Sequence, residues 1–174
     1  MNTRHNNKSV QLKDTNLVVE EVVKGSDASG EDDNAVARKT IITAFRDRNE
    51  FTRFLSQNQA MIIIRFSATW CKPCQKIKSL VDCFFASSPP CVTCVDLDVD
   101  ENTDVYSFLK SKKMVYGIPT LLCYTSLNRT YVPDLSISGS SPADLDKFFR
   151  ACGNAASKYM NTIQQRQNEN FTIL

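Results

Sequence analysis

Residues 40–152 predict an α/β domain: a central mixed sheet of four to five strands, flanked by helices on both faces. Three observations carry this. Strand-like and helix-like patterns alternate through the stretch. Met61–Phe66 is a continuous apolar run broken only by Arg65, as in a strand buried on both faces. A Cys-x-x-Cys pair, Cys71 and Cys74, stands directly between that run and an amphipathic segment.

Taken in order, Thr40–Ala44 is a short strand. Asp47 to Glu50 resembles a capping box with Asp in place of Ser or Thr, and Phe51, Phe54 and Leu55 follow at helical spacing. After the Met61–Phe66 strand, Cys74, Ile77, Val81 and Phe84 fall on one helical stripe with Leu80 beside it, while Lys76, Lys78 and Asp82 lie away from it. Ser87-Ser88-Pro89-Pro90 ends this helix. From Val92 to Asp100 the residues alternate, with Val95, Leu97 and Val99 on one side and Cys94, Asp96 and Asp98 on the other. Val105, Phe108 and Leu109 mark a short helix, and Gly117-Ile118-Pro119 leads into a strand at Thr120–Tyr124. Thr130 to Ser138 supplies a further strand, weakened in its first half by Pro133. Ser141-Pro142 is a strong helix start, with Leu145, Phe148, Phe149 and Cys152 on the buried face. The order is β-α-β-α-β-α-β-β-α.

The flanks differ in composition. Residues 1–39 read as a polar, flexible arm with one apolar island, Leu17-Val18-Val19 and Val22-Val23, which has the makings of a docking helix or strand. Residues 153–174 read as a polar tail or an extension of the last helix. Either flank is a candidate attachment point for an assembly partner.

The bulk properties exclude several classes. A formal net charge of +2 gives no polyelectrolyte basis for nucleic-acid or membrane-surface binding, so neither partner is expected. No apolar stretch approaches the length of a membrane span, and the first residues lack the apolar core of a signal peptide, so a cytoplasmic, reducing compartment is expected. The seven scattered cysteines suit that compartment better than a secreted disulfide scaffold. The single histidine, His5, removes Ser–His–Asp, Cys–His and His-rich metal chemistry.

Trp70-Cys71-Lys72-Pro73-Cys74 therefore holds the chemistry. At a helix start the backbone N–H groups are unpaired and the local field is positive, so a thiolate placed there is stabilised. Cys71 is expected to be the exposed nucleophile. Cys74, one turn later, is the resolving thiol, and Pro73 stiffens the turn between them. Cys71 attacks a client disulfide and Cys74 releases the reduced client from the mixed disulfide. Lys72 adds positive charge that favours thiolate.

These residues resemble the thioredoxin family. Phe66–Cys74 resembles its active-site segment, Val95–Asp100 its third strand, Gly117-Ile118-Pro119-Thr120 its cis-proline loop, and Gly139 a glycine after its last strand. The resemblance implies a thioredoxin fold and a protein disulfide reductase. It needs no cofactor beyond the redox-active disulfide and no metal. Its clients are proteins with disulfides, and a reductase or glutathione is the electron donor. It further implies that Pro119 is cis and packs against the cysteine pair, with Ile118, Pro119 and Gly139 facing an extended client. The sequence departs from the family at three places. Arg65 stands where a buried Asp is usual, and faces Asp96, which predicts a charge-reversed Arg65–Asp96 pair. Ser79 replaces a kinking proline, and the segment between Pro119 and Gly139 is longer, so its hairpin at Ser126–Arg129 should protrude.

Two other readings compete. Cys71-x2-Cys74-x16-Cys91-x2-Cys94 has the spacing of a four-Cys zinc site, and a domain of this type also serves as a binding module in which redox activity is incidental. Cys83, Cys94, Cys123 and Cys152 read as core residues or helix-face fillers.

Overall fold

The computed structural model of the chain describes residues 18–21 and 39–172. Its elements are β1 (Val18–Glu21), β2 (Thr40–Ala44), α1 (Arg48–Ser56), β3 (Met61–Ser67), α2 (Lys72–Ser87), β4 (Val92–Asp98), α3 (Thr103–Ser111), β5 (Thr120–Tyr124), β6 (Leu135–Ser138) and α4 (Pro142–Thr172). The six strands form one mixed sheet in the order β1-β2-β4-β3-β5-β6. β2, β4 and β3 are parallel, while β5, β6 and β1 run antiparallel to their neighbours.

Side-chain alternation on the strands separates two apolar layers. Ile62, Ile64 and Phe66 of β3, with Val95 and Leu97 of β4, pack with Phe51 and Leu55 of α1 and with Val105 and Leu109 of α3. Met61 and Ile63, with Val92 and Cys94, pack on the other face with Ile77, Val81 and Phe85 of α2 and with Leu145, Phe148 and Cys152 of α4. The first six residues of β3 are all buried, as a central strand requires.

Local chemistry sets the element ends. Asp47 caps α1 by accepting from the N–H groups of Asn49 and Glu50, both at 2.8 Å, and Glu50 reaches back to accept from Arg46 N at 2.6 Å. On α2 the buried stripe ends on Phe85, with Phe84 half-buried and stacked on Phe149 at 4.3 Å and Leu80 exposed. The last strand is shorter than the apolar pattern suggested. Pro133 has no N–H for a ladder, and Asp134 turns its carboxylate to Thr125 N at 2.7 Å, so residues 130–134 belong to the preceding loop. That loop is tied by Asn128, which donates to Val132 O and to Asp134 Oδ2, both at 2.9 Å, while Leu127 at its tip is exposed with φ 78°.

α4 continues for 31 residues through the polar segment, with Tyr159 donating to Gln59 O at 2.7 Å. The arm over 1–39 lies almost wholly outside the described residues. Within it, the backbone of Val18–Glu21 adds β1 to the edge of β2.

Candidate active site

The site forms where β3 ends and α2 begins. Cys71 is the N-cap of α2, and its Sγ accepts from Cys74 N at 3.2 Å. Its Sγ is bonded to that of Cys74, with the Cα atoms 5.2 Å apart. The helix geometry thus aims an orphan N–H at the first sulfur and brings the second within bonding reach. Lys72 and Pro73, in the first turn, are exposed.

Cys71 is not the open thiol that the sequence suggested. It is 4% exposed and Cys74 5%. In the bonded state Cys71 is drawn over the helix start and packs with Cys74, Ala68 and Val99 in the layer shared with α1 and α3. The rim around the pair carries the exposure instead. Trp70 is 64% exposed, and its indole Nε1 donates to Asp100 Oδ2 at 2.7 Å. Gln75 donates through Nε2 to Thr69 O at 2.7 Å, bracing the same loop. Tyr116, 73% exposed, precedes the Gly117-Ile118-Pro119 turn. Sequence reasoning passed over Asp100, Gln75 and Tyr116. Asp100 alone left a signal, as the last member of the acidic alternation in Asp96, Asp98 and Asp100.

The Ile118–Pro119 peptide bond is cis, Pro119 is buried on the wall of the cleft behind the cysteines, and Ile118 is half-buried against the same apolar layer as the pair. Gly139 joins this loop through its backbone, donating to Pro119 O at 2.9 Å. Its φ is +98°, while a Cβ at this position would meet no atom within 4 Å, so backbone conformation rather than space calls for glycine there.

Beneath α2, Arg65 and Asp96 stand in register on β3 and β4. Arg65 Nε donates to Asp96 Oδ1 at 2.7 Å and its Nη2 to Asp96 Oδ2. A partner the sequence did not suggest completes the fork. Asp82 of α2 meets Arg65 Nη1 at 2.8 Å while also holding Lys78 Nζ at 2.7 Å. Burial works against the guanidinium charge, but the hydrogen bonds and fields of Asp96 and Asp82 outweigh it and raise the Arg65 pKa above its ordinary value.

The four-Cys zinc arrangement does not assemble. Cys71 and Cys74 are bonded to each other and pack on one side of the sheet, whereas Cys91 and Cys94 belong to the layer on the other side. Cys94 faces Ser88 Oγ at 3.4 Å and Phe85 O at 4.0 Å instead. Among the described residues no group of three or more His, Cys, Asp or Glu side chains is placed to hold a metal ion. Of the remaining thiols, Cys94, Cys123 and Cys152 are buried and Cys83 is exposed.

A bonded cysteine pair at a helix start, flanked by a cis-proline loop, defines a dithiol–disulfide oxidoreductase. Comparison with known proteins agrees. The thioredoxin family model matches residues 42–151. Thioredoxin 3 of Plasmodium falciparum is 33% identical over 99 residues, covering 56% of this chain and 51% of that protein, so the chain spans about half of that relative's length. Thioredoxin-1 of Saccharomyces cerevisiae is 29% identical over 111 residues, covering 64% of this chain and 98% of that one. A crystal structure of a Plasmodium falciparum thioredoxin superposes with a TM-score of 0.51 at 25% identity, covering 76% of this chain and 93% of that one. The chain belongs to the thioredoxin family, has the thioredoxin fold, and is a thioredoxin-type dithiol oxidoreductase.

Proposed function

We propose that the chain works as a protein disulfide reductase, with Cys71 as nucleophile and Cys74 as resolving thiol. The observation that carries this reading is the Cys74 N–H directed at Cys71 Sγ, which stabilises negative charge on that sulfur. In the reduced protein the Cys71 thiolate attacks a client disulfide. One client sulfur leaves as thiolate, and the other is held in a mixed disulfide. Cys74 then attacks Cys71 Sγ, the client's second sulfur leaves with the electron pair, and the Cys71–Cys74 bond forms. Two electrons pass from the dithiol to the client, and no bound cofactor is required.

Trp70, Tyr116, Ile118 and Pro119 form the rim on which an extended client segment lies, its backbone along the cis-proline loop and Gly139. A reductase or glutathione restores the dithiol, which gives the protein a part in electron transport and cell redox homeostasis. A cytoplasmic location fits this role. Among the described residues no helix is long and apolar enough to cross a membrane. A partner in a larger assembly would meet the arm or the α4 extension.

Insulin disulfide reduction by dithiothreitol tests the reading. The native chain is expected to accelerate it, and Cys71→Ser to remove the acceleration entirely. Equal rates would discard the reductase and leave a binding module.

A further inference from the structure

A cleft of about 480 Å³ lies behind the redox pair, between the C-terminal ends of β2, β3 and β4 and the first half of α2. Cys74 forms part of its wall, together with Arg65, Ser67, Lys78, Asp96 and Asp98. The cleft is large enough for several waters, and the charged side chains on its wall give them partners. The lower half of the same sheet face is apolar, with Met61, Ile63, Val92 and Cys94 packed under Ile77, Val81 and Phe85. Polar residues are therefore concentrated at the level of the resolving cysteine.

The reductase cycle requires the Cys74 thiol to lose a proton before it attacks the mixed disulfide. Arg65 stays protonated and cannot accept it. Asp96 is on the cleft wall, but both of its oxygens are held by the Arg65 fork. Glu101 also lines the cleft, but it is exposed. Asp98 is half-buried; its Oδ1 accepts from Asp100 N at 2.9 Å, and among the described residues its Oδ2 has no partner. The charged groups that share its surroundings are Arg65 from β3, Asp96 from β4, Lys78 from α2 and Glu101 from the loop after β4.

We propose that Asp98 is the proton acceptor for Cys74, reached through water in this cleft. The proposal rests on the dithiol reading above and adds the route of one proton. The proton leaves Cys74 Sγ, crosses the water to Asp98, and the thiolate left behind attacks Cys71 Sγ. The bond from Cys71 to the client breaks and the client sulfur leaves with the electron pair. Asp98 then returns its proton to solvent through the mouth of the cleft. Arg65 has a separate task, since its charge is bound between Asp96 and Asp82 and holds α2 over the sheet.

With Cys83 and Cys91 replaced by Ser, dithiobis(nitrobenzoate) resolves the two steps. Attack by Cys71 releases one coloured thiolate, and resolution by Cys74 releases the second. In the reduced full-length chain, Asp98→Asn should slow the second release about tenfold or more near neutral pH while leaving the first within about twofold. The amide oxygen of Asn still accepts the Asp100 N–H, so the turn is preserved. Asp98→Ser, whose hydroxyl accepts the same N–H, should behave alike and serves if the Asn variant does not fold. The pH profile separates proton transfer from a loosened fold. In both variants the second release should rise in proportion to hydroxide and meet the native rate at alkaline pH, whereas the native rate should stay flat through neutrality. A second release equal to the native one, a parallel slowing of both releases at every pH, or a full effect from Glu101→Gln would overturn the proposal. Absence of any second release from the native dithiol would instead sink the dithiol reading itself.

Discussion

Two pairs of cysteines meet inside this domain, and only one is a redox centre. Cys71 and Cys74 are bonded at the start of α2, where the Cys74 N–H faces Cys71 Sγ. Cys123 of β5 and Cys152 of α4 also touch, but as free thiols in the apolar layer between the sheet and α4. The hydrogen bond to Cys152, followed by burial, pushes the Cys123 thiol far above its ordinary range. Proximity alone therefore does not make a thiol pair reactive. The first pair has a backbone donor and a charged polar layer beside it, including Arg65, Asp96 and Asp82. The second has no such donor, and the charge that acts on it, Asp134, is negative and disfavours thiolate, so its sulfurs serve as packing.

The largest contrast is in reactivity. With the protein reduced at neutral pH, iodoacetamide should modify Cys71 on the order of 10³-fold faster than Cys123, as read by mass spectrometry of peptides. Comparable rates would erase the distinction between the pairs.

Stability against pH gives a second, smaller measure. The folded Cys123 pKa lies above the ordinary thiol value of 9.0, so the native state holds a proton that the unfolded chain releases. The associated stability is complete below pH 9.0 and is lost as pH rises toward the folded value. Buried Cys94 and Tyr124, both shifted upward by burial, act in the same direction. Denaturant unfolding should show stability falling above about pH 9, by up to about 1.4 kcal/mol per pH unit for each such group. Cys123→Ala should make that fall shallower while leaving insulin reduction unchanged. An unaltered slope would mean that Cys123 is not held protonated by the fold.

The smallest effect concerns the charge within the first pair. Lys72 is exposed in the first turn of α2, where its positive charge is expected to favour the thiolate form and so make the disulfide more oxidising. Lys72→Gly should lower the potential on the order of 10 mV in equilibration with glutathione, followed through Trp70 fluorescence. Trp70 is the single tryptophan and adjoins Cys71, so its signal is unambiguous. An unchanged potential would remove Lys72 from the account of the thiolate.

Much of the site was legible because its signals are local. The Cys-x-x-Cys pair, the strand before it and the helix after it are contiguous, so spacing alone places both sulfurs at a helix start. The cis proline followed from resemblance, since nothing in the spacing of Gly117-Ile118-Pro119 requires that isomer. Asp82 was not legible. Its neighbour four residues earlier is Lys78, and the two do form a surface ion pair, but the second bond to Arg65 exists only because α2 crosses β3 at that point. The burial of Cys71 was hidden for a related reason, because it depends on the pieces that converge on the helix start from distant segments. Asp98 reads as one outward member of an alternating strand until the cleft shows what it faces.

By itself, the sequence determined the order of strands and helices from Thr40 onward and the identity of the two redox cysteines, because hydrophobic period and capping chemistry act over a few residues. Tertiary packing decided which sulfur pair is bonded and which is inert, which carboxylates share Arg65, and how β1 extends the sheet. Those outcomes depend on distances between segments far apart in the chain, and on the water and charge left between them once the helices close over the sheet.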